Sequence, residues 1–346
     1  MRLAPRAVRL APVAPAVRLA AGVLAAGALA AGVLAAVLLA VAAPAAANVI
    51  NGADDRDSLL VLAPKLGLTA EEVQHIRSST GFVACLSPTP SMGSGVLFLD
   101  NQQVLTAAHI LYQPDGKARS RCFFRNQTVP PVMVDLVPYK GYSAFGAMPP
   151  KPGTSQDFAI VRTALPVTGG APFRVPDSLP AKGETLIVTT GHPAGMAKEV
   201  DRFVPVAQSC TVRRVLSAGR YAALFNTDCD ATGSSSGGAN FARVGGGLVL
   251  RGVTISTGPW QDPAFAGAPY NEKRGSFTTA ISVSGVVLQA GRALMNKAPA
   301  AAPAGMPSAL GAMPGAGATG SAPAAGGSGL PGVDGSRAHR KAQPGN

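Results

Sequence analysis

Residues 104–109 read Val-Leu-Thr-Ala-Ala-His, an apolar strand that runs into small residues and ends on a histidine. Downstream, Gln156-Asp157-Phe158-Ala159-Ile160-Val161 opens another apolar strand on an acid. Further on, Cys229-Asp230-Ala231-Thr232-Gly233-Ser234-Ser235-Ser236-Gly237-Gly238 sets serines in a small-residue turn ahead of the apolar run Gly246–Leu250. Serine alone is a weak nucleophile near neutral pH and needs a base within hydrogen-bond reach. An imidazole, with an unperturbed pKa of about 6.5, can serve. An acid on its far nitrogen would fix the tautomer and stabilise the imidazolium. A turn of small residues lets backbone N–H groups converge on an oxyanion, where one donor is worth about 2.7–4 kcal/mol.

Around these three segments stand short runs rich in Val, Ile, Leu, Phe and Thr, among them GFVACL from Gly81, GSGVLFL from Gly93, TLIVTTG from Thr185, CTVRRVL from Cys210 and SFTTAIS from Ser276. Turn signals such as Asp115-Gly116, Pro152-Gly153, Gly169-Gly170 and Gly219 separate them. Many short strands with Gly and Pro punctuation predict an all-β sandwich or barrel rather than a βαβ protein. Two segments read as helix. Residues 69–77 begin with Thr69 and Glu72 at capping-box spacing, and a helix from Ser282 onward could close the domain.

The ends of the 346-residue chain have a different composition. Residues 1–47 carry Arg2, Arg6, Arg9 and Arg18, then an apolar run from Leu19 to Val41 and the small residues Ala45-Ala46-Ala47. That order predicts a signal peptide cut before Asn48, with a retained anchor as the alternative because the run is long enough to cross a bilayer. Residues 297–346, rich in Ala, Pro and Gly, cannot bury enough surface to offset ordering entropy and are expected to be disordered. The expected layout is an N-terminal extension at 48–77 and a catalytic domain at 78–296, split near 180. Without the four N-terminal arginines, 26 basic residues face 18 acidic ones. They are scattered and few aromatics accompany them, which argues against a nucleic-acid partner. Cys85, Cys122, Cys210 and Cys229 behind an export signal suggest two disulfides. Three connectivities are possible; Cys85–Cys122 with Cys210–Cys229 is preferred because each joins nearby strands. No Cys-x-x-Cys pair supports a metal or redox centre, and neither metal nor cofactor is expected.

The order His109, Asp157, Ser236, within TAAH, DFAIV and SSSGG, resembles the trypsin/chymotrypsin superfamily. The match is closest to its bacterial secreted branch, which includes the glutamyl endopeptidases. Gly52-Ala53-Asp54-Asp55-Arg56, Gly191-His192-Pro193 and the Cys-Asp pair before the nucleophile turn resemble that branch too. The resemblance, over about residues 49–290, implies two six-stranded antiparallel β barrels with the site in the cleft between them. It implies His109, Asp157 and Ser236 as the catalytic residues, and the backbone N–H groups of Ser234 and Ser236 as the oxyanion hole. Asp230 falls where trypsin-like enzymes place the acid of the specificity pocket, with a structural turn acid as the equal alternative. Thr254 and Ser256 lie on the strand expected to line that pocket.

Two departures stand out. Ser234 replaces the family's usual glycine two residues before the nucleophile. Ser235 replaces the aspartate that pairs with a freed N-terminus in animal members, so the activation-like segment Val49-Ile50-Asn51-Gly52 has no such carboxylate. Asp100, Asp115 and Asp135 are rivals to Asp157. Ser235 also fits G-x-S-x-G, but the elbow that motif marks needs the order Ser, Asp, His. His75 and His339 read as surface residues and His192 as a loop residue near the cleft. The expected protein is a monomeric, secreted or periplasmic serine endopeptidase acting on protein or peptide substrates, membrane-bound only if the N-terminal segment is kept. A catalytically inactive binding module of the cell envelope is the alternative.

Overall fold

In the computed structural model the described residues are 48–139, 141–191, 204–258 and 267–297. The stretches read as signal and tail, together with His192 and His339, lie outside them. Fourteen strands form two sheets among the described residues. The first sheet contains β2 (Thr80–Ser87), β3 (Ser91–Leu97), β4 (Gln103–Thr106), β5 (Ser120–Asn126), β6 (Met133–Asp135), β7 (Ser143–Phe145) and β8 (Ala159–Arg162), in the order β6-β5-β2-β3-β4-β8-β7. The second contains β1 (Asp57–Ser58), β9 (Thr185–Thr190), β10 (Val206–Leu216), β11 (Leu224–Thr227), β12 (Ala239–Val244), β13 (Gly247–Thr257) and β14 (Thr278–Ser282).

The two sheets close differently. In the second, β10 pairs with both β11 and β9, so six strands complete a ring and β1 adds to its rim. The first is an open seven-stranded sheet, drawn together where β6 and β8 run out. There Leu136 bridges Thr163, and the Val137 N–H reaches the Arg162 carbonyl at 3.0 Å. Its short edge strands, three residues in β6 and three in β7, leave no room for a longer seam.

The apolar positions of these strands fill the interior. Phe98, Phe124 and Phe158 from the first half, with Phe225 and Phe241 from the second, are all fully buried. One apolar cluster runs across both halves, from Val83 and Phe124 to Phe241 and Leu250. At about 25 cal/mol per Å² of apolar surface removed from water, this shared core is what holds the halves together. The disulfides are Cys85–Cys122, across neighbouring β2 and β5, and Cys210–Cys229, within the second half, the preferred pairing.

Four short helices lie among the described residues. They are α1 (Leu59–Leu62), α2 (Ala70–Ser79), α3 (Ala108–Leu111) and α4 (Val286–Met295). The capping box of α2 forms, with the Thr69 hydroxyl accepting the Glu72 N–H at 3.1 Å and the Glu72 carboxylate accepting the Thr69 N–H at 2.9 Å. Arg162 ties α4 back to the first sheet by donating to the Leu294 carbonyl at 2.7 Å. The extension at 48–77 is less separate than its position suggests: β1 belongs to the second sheet, paired with β10.

Candidate active site

Antiparallel pairing of β4 with β8, Thr106 opposite Ala159, brings two distant segments to one end of the first sheet. His109 follows β4 on α3, and Asp157 stands just before β8. Asp157 is fully buried. Its Oδ1 accepts the His109 backbone N–H at 3.1 Å, and its Oδ2 lies 2.8 Å from His109 Nδ1. The Gly153 N–H adds a third contact to Oδ2 at 3.3 Å. A carboxylate without water needs such donors, because an unpaired buried charge is costly. Asp100, Asp115 and Asp135 make no contact with His109: the first two bond within their own turns, and Asp135 stands on β6.

On the other side of the imidazole, His109 Nε2 lies 3.0 Å from Ser236 Oγ. His109 keeps 29 % of its side chain exposed, open to the solvent side of the site. Ser236 sits between a 3-10 turn, Gly233–Ser235, and β12. Ser94 on β3 fixes it from across the cleft. The Ser94 N–H donates to the Ser236 carbonyl at 2.7 Å, and the Ser94 hydroxyl donates to the Ser234 carbonyl at 3.2 Å while accepting the Gly191 N–H at 2.8 Å. The approach is so close that only glycine fits beside it. A Cβ on Gly237 (φ +80) would stand 1.8 Å from the Ser94 carbonyl oxygen, and one on Gly93 2.7 Å from that of Ser236. Sequence reading missed Ser94. Its signal was a lone hydroxyl between two glycines, Gly93 and Gly95, inside a run that otherwise reads as buried strand.

The oxyanion hole expected at Ser234 and Ser236 is not formed in this conformation. Ser234 has none of the positive φ that a glycine would allow there, and positive φ in this loop begins only at Gly237. A residue with a Cβ avoids that region. The chain instead turns in a 3-10 helix, whose N–H groups point back three residues. The Ser235 N–H is taken by the Thr232 carbonyl at 3.0 Å, which closes the turn. Hydroxyl contacts support the turn, with Thr232 Oγ1 3.2 Å from Ser234 Oγ and the Thr232 N–H donating to Ser235 Oγ at 2.9 Å.

A groove of about 620 Å³ opens beside the loop that supports Asp157, bounded by Gly153, Asn226, Ser256, Gly258 and Phe277, with Arg214 and Glu272 paired on its wall. Ser256 lines it as expected of that strand. Thr254 does not, because a register shift separates the two; its Oγ1 instead accepts from the Asn240 side chain at 3.2 Å. Asp230 is also absent from the groove. It is buried, and its oxygens accept the N–H groups of Ile50 at 2.7 Å and Asp55 at 3.1 Å. The activation-like segment thus does find a carboxylate, through backbone amides and at Asp230. His75, half-buried on α2, stacks on Phe173 with ring centroids 3.9 Å apart.

Residues 93–249 match the family model of the trypsin-like peptidase domain. No curated protein matches the chain. Among solved structures, a Glu endopeptidase in complex with MPD is 14% identical and superposes with a TM-score of 0.50, covering 71% of this chain and 98% of its own. A protease from Mycobacterium tuberculosis in its active form is 14% identical with a TM-score of 0.43, covering 75% and 95%. At these identities the likeness is one of fold.

Proposed function

The chain belongs to the trypsin/chymotrypsin superfamily, and on that premise we propose that it is an exported serine endopeptidase that works through an acyl-enzyme on Ser236. The observation that carries the reading is the unbroken chain of contacts from Asp157 to His109 to Ser236, at 2.8 and 3.0 Å. With Asp157 accepting from Nδ1–H, Nε2 is left as the acceptor facing Ser236 Oγ–H. As Oγ attacks the substrate carbonyl, His109 takes the serine proton. It returns that proton to the leaving amine as the C–N bond breaks, and water then attacks the ester by the same route. Export rests on the signal-like start and on two disulfides, which persist in oxidising compartments.

The acyl oxygen needs donors during these steps, so the Gly233–Ser234 peptide has to turn over when substrate binds. The closed turn is also the observation that favours the second reading, an inactive protease-like binding module. Fluorophosphonate labelling separates the two: rapid modification at Ser236, lost in Ser236→Ala, is expected. Intact protein that neither labels nor cleaves any peptide would overturn the enzyme reading.

A further inference from the structure

Asp230 stands at the head of the loop that carries Ser236, yet its carboxylate serves neither the His109 contacts nor the groove. Its two oxygens hold the amides of Ile50 and Asp55, residues far earlier in the chain. One residue on, Ala231 and Asn48 exchange N–H···O bonds at 3.1 and 2.7 Å. From β10, the Gln208 side chain donates to the Asp230 carbonyl at 2.6 Å and accepts the Asp230 N–H at 2.8 Å. The loop is therefore pinned at its start by Asp230 and Ala231 and at its end by Ser94. Between these pins lies the 3-10 turn that has to move. A buried carboxylate is an expensive way to fill space. Its particular contribution is a pair of charge-assisted bonds to two separate amides, stronger than neutral ones.

We propose that Asp230 is a positioning residue, whose carboxylate clamps the segment Asn48–Asp55 against the nucleophile loop and so keeps Ser236 in line with His109. The proposal rests on the serine endopeptidase reading. Burial first, and the nearby Asp55 carboxylate after it, push the Asp230 carboxyl up to about 7 against the pull of the two amides. The other charged groups around it come in pairs: Asp54 with Arg56 on the same segment, and Asp228 with Arg213 at the loop's start. Gln208 on β10 is neutral, and Gly267 and Ala268, packed on the segment, do not titrate. Protonation would weaken the acceptor and loosen the clamp, in addition to protonation of the base.

The test is hydrolysis of a peptide substrate and fluorophosphonate labelling by the full chain between about pH 5 and 9, bracketing the Asp230 ionisation. Wild-type activity is expected to fall on the acid side with the slope of two protons. Asp230→Asn should lower kcat about 10- to 100-fold, the cost of a small misplacement, leave KM nearly unchanged, and reduce the acid slope to one proton. Should that variant fail to fold, Asp55→Ala is the second probe. It removes an exposed like charge and the side-chain hydrogen bond Asp55 shares with Asp230, both of which raise the Asp230 carboxyl, and should move one of the two ionisations to lower pH. An active wild type with kcat and acid slope unchanged in Asp230→Asn, or with an unmoved profile in Asp55→Ala, would overturn this proposal alone. A wild type that neither labels nor cleaves would remove the enzyme reading and the clamp with it.

Discussion

Ser234, Ser235 and Ser236 stand side by side, yet their hydroxyls meet different partners: Thr232 Oγ1, the Thr232 N–H and His109 Nε2. Ser236→Ala should abolish labelling and cut kcat by about 10⁶-fold, as loss of a nucleophile does, whereas Ser235→Ala should keep most of the activity. Ser234→Gly is expected to go the other way. Glycine relieves the φ penalty on the opened turn, so kcat/KM should rise on the order of tenfold, within what one oxyanion donor contributes. Parallel labelling time courses of the three variants check all of this, and a slower Ser234→Gly would remove the turn from the mechanism. His109, Asp157 and Ser236 could be found in the sequence because each sits in a short motif of its own. Ser94 and the amides on Asp230 could not, because their partners lie 140 and 180 residues away and no local spacing encodes such contacts.

At the level of elements, the decisive contact is the nucleophile loop against β3. The backbone of Gly237 passes so close to Ser94 that a methyl group there needs a shift of one or the other. Gly237→Ala should therefore destabilise the domain by about 3 kcal/mol, combining the left-handed φ with the clash. Urea unfolding measures the first effect, and the labelling rate should fall with it. A stability change below about 1 kcal/mol would mean that the loop can back away from β3. Strands were legible from their apolar runs and turn residues, and α2 from its capping box. The register shift between Thr254 and Ser256 was not, since an inserted residue leaves the composition of the strand unchanged. The 3-10 turn was visible only as an unexpected serine at position 234.

For the molecule as a whole, two covalent links and one buried acid set the response to conditions. Cys85–Cys122 spans 37 residues and Cys210–Cys229 spans 19, so reduction should cost about 3–4 kcal/mol for each on the chain-entropy account, slightly more for the first. Unfolding curves with and without reductant give the value. The carboxyl of Asp230, raised to about 7 by burial, prefers its proton in the folded state. Its contribution to stability is thus full in acid, below its unfolded value, and is lost as pH rises through about 7. Melting temperatures should show that loss in the wild type and lack it in Asp230→Asn, so stability declines over the range where activity rises. The all-β class was legible from strand runs and chain length, and the two-barrel layout came from the resemblance; the unequal closure of the sheets was not legible, because it depends on pairing between ends. The antiparallel bridge between Asn48 and Ala231 has a further consequence, in time rather than in space. During synthesis the segment after residue 47 emerges early, and its place does not exist until some 180 residues later have followed. On the proposed assignment His109 and Asp157 are also made long before Ser236, so a nascent chain would carry the base without its nucleophile. The same late step that supplies the serine supplies the dock for the chain's own beginning.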